Sequence, residues 1–213
     1  MKRIAVFDID GTILRRVSTE RMFFKYLLRK GEIGLFAGFN FISGFLKDCG
    51  KNWLYATKGN KWYLKGMDCE RIKSLGIDFF NSVVKKKISD IAVDMINRHK
   101  EEGCEIILLS GAFDFFMDEY LKYLKADRVH GTALEVEDGK FTGRIKGLFP
   151  YGENKAKIID KDFVDIDYVN SYAYANDYDD RHFLKMFGHA VAVNPDRRLL
   201  KFARQNNLRV LYS

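Results

Sequence analysis

Two acidic residues, Asp8 and Asp10, stand one position apart in the run Asp8-Ile9-Asp10-Gly11-Thr12. They follow Ile4-Ala5-Val6-Phe7, a short apolar run that reads as a buried parallel strand. Two carboxylates therefore sit where a strand gives way to a glycine turn. In open α/β sheets that carboxyl end is where ligands bind. If the backbone stays extended through Asp10, residues i and i+2 point to one side. One carboxylate can then attack while its neighbour carries a proton. A strand-to-loop turn with two solvated acids is the plain alternative.

Phosphoryl transfer needs a nucleophile, a proton carrier, donors for the phosphate oxygens and usually Mg²⁺. Each has a candidate at the end of an apolar run. Ser110-Gly111 follows Ile106–Leu109. A hydroxyl and backbone N–H groups at a helix start can cradle phosphate, although Ser also suits a simple helix cap. Lys155, in Gly152-Glu153-Asn154-Lys155, falls near an expected helix start. A cation there opposes the helix dipole, so it calls for an anion or for solvent. An acidic cluster, Asn176-Asp177-Tyr178-Asp179-Asp180, closes the series.

The elements that must position these groups alternate. Residues 88–102 have the spacing of an amphipathic helix closed by Gly103, and Glu105–Leu109 reads as a second buried strand. Phe113–Leu124 is expected to be helical and Arg128–Gly131 a short strand. Thr132–Val136 and Phe141–Ile145 flank the turn Glu137-Asp138-Gly139-Lys140 as a β-hairpin. A helix opens at Asn154–Ile159, a strand runs Asp167–Ala175, and a last core strand, His189–Val193, precedes a terminal helix. Such alternation predicts an α/β fold with a doubly wound parallel sheet. Residues 15–80 differ: they are rich in Phe, Trp, Tyr, Leu and Lys and lack obvious strands. They read as an α-helical cap inserted between core segments 1–14 and 81–213, with helical spacing in Arg21–Leu28.

The chain has 213 residues, 47% of them hydrophobic, enough for a domain with a sizeable insertion and too many for disorder. Cys49, Cys69 and Cys104 show no metal-site spacing and leave one unpaired, which suits a reduced, cytoplasmic setting. Met1-Lys2-Arg3 leads into a strand rather than a signal peptide, and no apolar run reaches the roughly 18 residues of a membrane span. The net charge of +7 favours anionic partners. No nucleic-acid module stands out, so nucleic acid is not expected among them.

The order of acids, Ser, Lys and acidic cluster resembles the four motifs of the haloacid dehalogenase (HAD) superfamily, over nearly the whole chain. The resemblance is to the phosphoserine-phosphatase-like branch and, within it, to subfamily IB hydrolases. Tyr63-Leu64-Lys65-Gly66, Gly131 to Gly143, and Gly188 to Asp196 carry it. It implies a Rossmann-like core and a Mg²⁺-dependent phosphomonoesterase acting on a small phosphorylated substrate. Asp8 would be the nucleophile and Asp10 the acid and base. Thr12, Ser110, Gly111 and Lys155 would serve the phosphate, with Thr12 supporting the first loop. Asp8, the Asp10 carbonyl, Asn176 or Asp177, and Asp180 would serve the metal.

The pattern breaks at its fourth motif, which normally opens with an Asp. Anchored on Gly188-His189, that position is Asn176, with Asp180 four residues on. Either Asn176 ligates through its carbonyl, or Asp177 substitutes, or the chain binds phosphate compounds with little turnover. Phosphoserine phosphatases of this kind carry a Glu nine residues after the nucleophile; here Val17 stands there and Glu20 follows. Ile33–Leu46 holds eight large apolar residues, flanked by Arg29, Lys30, Lys47 and Lys51. It suits either a buried cap helix or an interfacial segment on an anionic membrane surface, the setting of a lipid-phosphate phosphatase. Trp53, Tyr55, Trp62 and Tyr63 could line a substrate slot or fill the cap's own core.

Overall fold

A computed structural model describes residues 1–15, 17–50 and 53–212. Its centre is a six-stranded sheet in the order β3-β2-β1-β6-β7-β8. The strands are β1 (Ile4–Phe7), β2 (Glu105–Phe113), β3 (Arg128–Thr132), β6 (Tyr172–Ala175), β7 (His189–Val193) and β8 (Arg209–Leu211). Every pairing in it is parallel. β4 (Leu134–Glu137) and β5 (Lys140–Ile145) form a separate antiparallel hairpin at the expected turn.

The apolar runs are continuous because the sheet is buried on both faces. Ala5, Phe7, Ile106 and Leu108 join one core cluster, whereas Ile4, Val6, Ile107 and Leu109 join the other. The first face is covered by α1 (Thr19–Arg29), α4 (Cys69–Phe79), α5 (Asp90–Glu101) and α6 (Asp114–Leu124). The second is covered by α7 (Glu153–Asp162), α8 (Arg181–Leu184) and α9 (Arg197–Gln205). From β1 the chain winds outward through β2 to β3, then returns to place β6 on the other side of β1. That reversal opens a crevice between the carboxyl ends of β1 and β6, at Asp8 and Asn176.

Three elements depart from expectation. β2 does not stop at Leu109 but runs through Ser110 and Gly111 to Phe113, so α6 begins only at Asp114. The strand end is held by local bonds: Ser110 Oγ accepts the Ala112 N–H at 3.1 Å, and Thr132 Oγ1 donates to the Gly111 carbonyl at 2.7 Å. The register with β3 shifts across this stretch. Ser110 is therefore not a helix cap. β6 starts at Tyr172 rather than Asp167, because the Asp167 carboxylate accepts both the backbone and side-chain N–H of Asn170 and closes a turn. β8 was not expected; it is three residues long and lies at the sheet edge.

Between β1 and α5 the described residues contain no strand. The apolar segment becomes α2 (Leu35–Cys49), unbroken by its glycines. Gly44 is required there, since a Cβ would lie 2.3 Å from the Trp62 ring. The short α3 (Trp53–Thr57) follows. Lys51 and the side chain of Tyr55 lie outside the described residues.

Candidate active site

β1 ends in a turn made possible by Gly11, whose φ of +85° is open to glycine and strained for other residues. The turn projects Asp8 and Asp10 into a cleft of about 950 Å³ at the crevice. Asp8 is buried, its side chain held from two directions. Thr12 Oγ1 donates to Asp8 Oδ2 at 3.1 Å, and Lys155 Nζ donates to Asp8 Oδ1 at 2.6 Å. Thr12 does not line the cleft; it reaches the site through Asp8.

Lys155 is in the first turn of α7, behind Gly152 at a φ of +56°. It is 2% exposed, and Nζ also donates to Asp180 Oδ2 at 2.8 Å. Burial works to strip its proton, but the charges of Asp180 and Asp8 outweigh burial and hold the ammonium above its ordinary range. Burial pushes the Asp180 carboxyl up, against the pull of Lys155. Two buried carboxylates thus share one ammonium.

Asp10 remains partly open to the cleft. Its Oδ1 accepts the Thr19 N–H at 2.9 Å and the Thr19 hydroxyl at 2.6 Å. The same hydroxyl lies 3.1 Å from the Tyr120 hydroxyl. Burial first, and the Asp8 charge with it, push the Asp10 carboxyl up to about 6, while the Thr19 bonds restrain it. A carboxyl poised there can both give and take a proton near neutral pH.

Ser110 and Gly111 line the same cleft from β2, the strand beside β1. Asn176, Asp177 and Asp180 follow β6 and line it too. Asn176 packs against the turn after β1: a Cβ on Gly11 would lie 2.0 Å from its Nδ2. Asp177 Oδ1 accepts the Asp179 N–H at 2.9 Å, which leaves its second oxygen uncommitted by that bond. All the expected residues except Thr12 therefore share one cleft.

The far wall comes from α1, α2 and the stretch around Tyr63, with Val17, Phe24, Phe41 and Tyr63 among its apolar residues. Glu20 also lines it, but Lys61 neutralises it: the buried ammonium forms an ion pair with Glu20 and donates to the Lys58 carbonyl at 2.8 Å. Of the four aromatics expected in a slot, Tyr63 is in this wall. Trp53 is 66% exposed, Trp62 packs outside the wall against Gly44, and the side chain of Tyr55 lies outside the described residues. Thr19 and Tyr120 were not foreseen. Their signal is weak, since Thr19 looks like an ordinary helix start and Tyr120 is 101 residues away.

A family model described as haloacid dehalogenase-like hydrolase matches residues 5–185. A probable phosphatase of Mycobacterium tuberculosis is 28% identical over 207 residues, covering 93% of this chain and 71% of that protein. A phosphoserine phosphatase of the same organism is 25% identical over 211 residues, covering 94% of this chain and 68% of that one. A solved structure of a protein of unknown function from Bordetella pertussis superposes with a TM-score of 0.83 at 21% identity. That superposition covers 99% of this chain and 98% of the other, and it supports the fold.

Proposed function

The chain belongs to the haloacid dehalogenase-like hydrolases, and we propose that it is a Mg²⁺-dependent phosphomonoesterase working through an aspartyl phosphate on Asp8. The observation that carries this reading is the arrangement at Asp8: a buried carboxylate oriented by Thr12 and Lys155, with a proton-carrying Asp10 on the same turn.

In the first step an Asp8 oxygen forms a bond to phosphorus as the ester P–O bond breaks. Asp10 gives its proton to the leaving oxygen, and the alcohol departs. In the second step Asp10 takes a proton from water as that water attacks the same phosphorus. The bond to Asp8 breaks, its carboxylate is restored and inorganic phosphate leaves. Lys155, the Ser110 hydroxyl and the Gly111 N–H hold the phosphoryl oxygens through both steps. Thr12 acts by orienting Asp8, and Thr19 by orienting Asp10.

The residues present fit a hard divalent cation. Asp8, the Asp10 carbonyl, Asp180, and Asn176 or Asp177 line one cleft and are all oxygen donors, the ligand type such a cation takes. Bound Mg²⁺ would offset the repulsion between a phosphate dianion and Asp8. Asn176 would contribute a carbonyl without charge.

Residues 15–80 then act as the cap that selects the substrate, a small organic phosphate. Phosphoserine is disfavoured, because Val17 occupies the expected amine-binding position and Glu20 is already paired with Lys61. The three cysteines are free, as a reducing cytoplasmic setting would keep them. The test is phosphate release from a panel of phosphomonoesters, with and without Mg²⁺. Metal-dependent turnover by the native protein, lost in Asp8→Asn at unchanged circular dichroism, is expected. Turnover that survives in Asp8→Asn would remove the nucleophile assignment.

A further inference from the structure

At the end of the sheet away from the cleft, three side chains of metal-binding type converge. Glu105 opens β2 opposite Ile4, the first residue of β1, whereas Asp8 follows the last. Just before Glu105 the chain leaves α5 through Glu102, Gly103 and Cys104. Gly103, at a φ of +78°, lets the backbone turn back on the helix. Its N–H donates to the Lys100 carbonyl and the Cys104 N–H to the His99 carbonyl, both at 2.9 Å. The turn gathers residues 99, 102 and 104. A ring nitrogen of His99, a carboxylate oxygen of Glu102 and Cys104 Sγ all lie within 4.8 Å of one another. Spacing among the cysteines does not announce this group, because it draws on three residue types.

Each donor is prepared in a different way. His99 is buried, with the Tyr172 and Tyr174 rings 4.2 and 5.6 Å from its own. Its Nε2 lies 2.6 Å from the Tyr174 hydroxyl and its Nδ1 3.2 Å from Glu102 Oε2. With the proton on Nε2 and donated to Tyr174, Nδ1 offers its lone pair on the Glu102 side, the arrangement that orients metal-bound imidazoles. Cys104 is 5% exposed, and among the described residues its Sγ takes part in no hydrogen bond. The Glu102 side chain is 40% exposed, which gives an ion a way in and a water a place beside it. The exposed Arg3 guanidinium donates to the Glu102 backbone carbonyl, not to its carboxylate. A plain His99–Glu102 hydrogen bond, with Cys104 as packing, is the alternative; it leaves a third donor within reach of both without a role.

Thiolate, imidazole and carboxylate together are a borderline-soft set, suited to Zn²⁺ and not to Mg²⁺. Zinc bonds of about 2.0–2.3 Å place tetrahedral donors roughly 3.3–3.6 Å apart. An inward shift of about 1 Å therefore closes the trio on an ion. We propose that His99 Nδ1, Glu102 and the Cys104 thiolate form a site for Zn²⁺ or a similar transition-metal ion, with water in the fourth position. Binding releases the thiol proton to solvent. The ion would tie the end of α5 to the sheet, since Tyr174 of β6 stacks on Phe7 of β1 at 4.4 Å. The site shares no residue with the phosphate cleft and does not rest on the phosphatase reading.

The experiment titrates the whole chain, stripped with a chelator, with Co²⁺ and then Zn²⁺ in excess Mg²⁺. Cobalt held by a thiolate shows a near-ultraviolet charge-transfer band, whereas cobalt at the all-oxygen donors of the cleft does not. The wild type should develop the band, and Zn²⁺ should abolish it. Cys104→Ala, checked by circular dichroism, should show no band. Glu102→Gln, a change at an exposed position that keeps the test open if Cys104→Ala does not fold, should weaken Co²⁺ binding by about tenfold or more. Zn²⁺ should raise the melting temperature of the wild type more than that of either variant.

A wild type without the band overturns the site and leaves the hydrogen-bonded alternative. A band that persists in Cys104→Ala assigns the thiolate to another cysteine and also overturns it. Unchanged Co²⁺ affinity in Glu102→Gln does the same, because the proposed trio would lack its carboxylate. None of these outcomes bears on phosphate release.

Discussion

Asp10 owes its proposed chemistry to Thr19 as much as to its own type. Both Thr19 hydrogen bonds favour the anion and lower a pKa that burial has raised to about 6. Replacing Thr19 by Val removes the hydroxyl bond, so the pKa moves up and more Asp10 is protonated at any pH near 7. The limb of the kcat/KM profile that follows loss of the Asp10 proton should therefore shift to higher pH. A Thr19 that merely fills space would, on mutation, lower the rate equally at all pH values. Asp10→Asn should lower turnover by about 10²- to 10⁴-fold, the usual yield of general acid–base catalysis. Asn176 invites the opposite kind of change. Asn176→Asp adds a charge to the proposed metal donors, and a Mg²⁺ titration of activity should reach half-saturation at lower metal. An unmoved titration would assign the ligand to Asp177.

At the scale of elements, β1 and its turn carry the site, and Gly11 is the point where they are most exposed to damage. Gly11→Ala meets two penalties: a φ of +85° and a Cβ 2.0 Å from Asn176 Nδ2. Backbone strain of this kind amounts to about 1–3 kcal/mol, and the displaced Asn176 adds a functional loss. A lowered melting temperature together with a raised Mg²⁺ requirement is expected; a variant with native melting and native metal response would contradict the packing.

Three strands of this sheet were readable because each contains an apolar run that leads into polar or acidic residues: Phe7 before Asp8, Leu109 before Ser110, Ala175 before Asn176. What could not be read depends on contacts across the fold. The continuation of β2 past Ser110 is held by Thr132, 21 residues on. β8 exists because Val191, Ala192 and Val193 offer it an edge, not because Arg209–Leu211 has a strong pattern of its own. Thr19 and Tyr120 meet only once α6 packs over α1.

In the whole molecule, the proposed cap and core share a packed interior. Phe23 of α1 lies 5.2 Å from the Phe79 ring of α4, 6.5 Å from Phe113 at the end of β2 and 4.8 Å from Phe116 of α6. The same helices carry Thr19 and Tyr120, so the packing that joins the two segments also sets Asp10. Phe23→Ala should remove about 3–5 kcal/mol, or roughly 6–20 °C of melting temperature for a chain of this length. Because the cluster is continuous, that loss should appear as one cooperative transition at lower temperature, with ellipticity and p-nitrophenyl phosphate turnover lost together. Separate melting of the helical segment, with the sheet and its phosphate site still folded, would show that residues 15–80 form an independent unit. The proposed cap would then be a lid that the shared aromatic cluster does not restrain, rather than a wall fixed against the turn after β1.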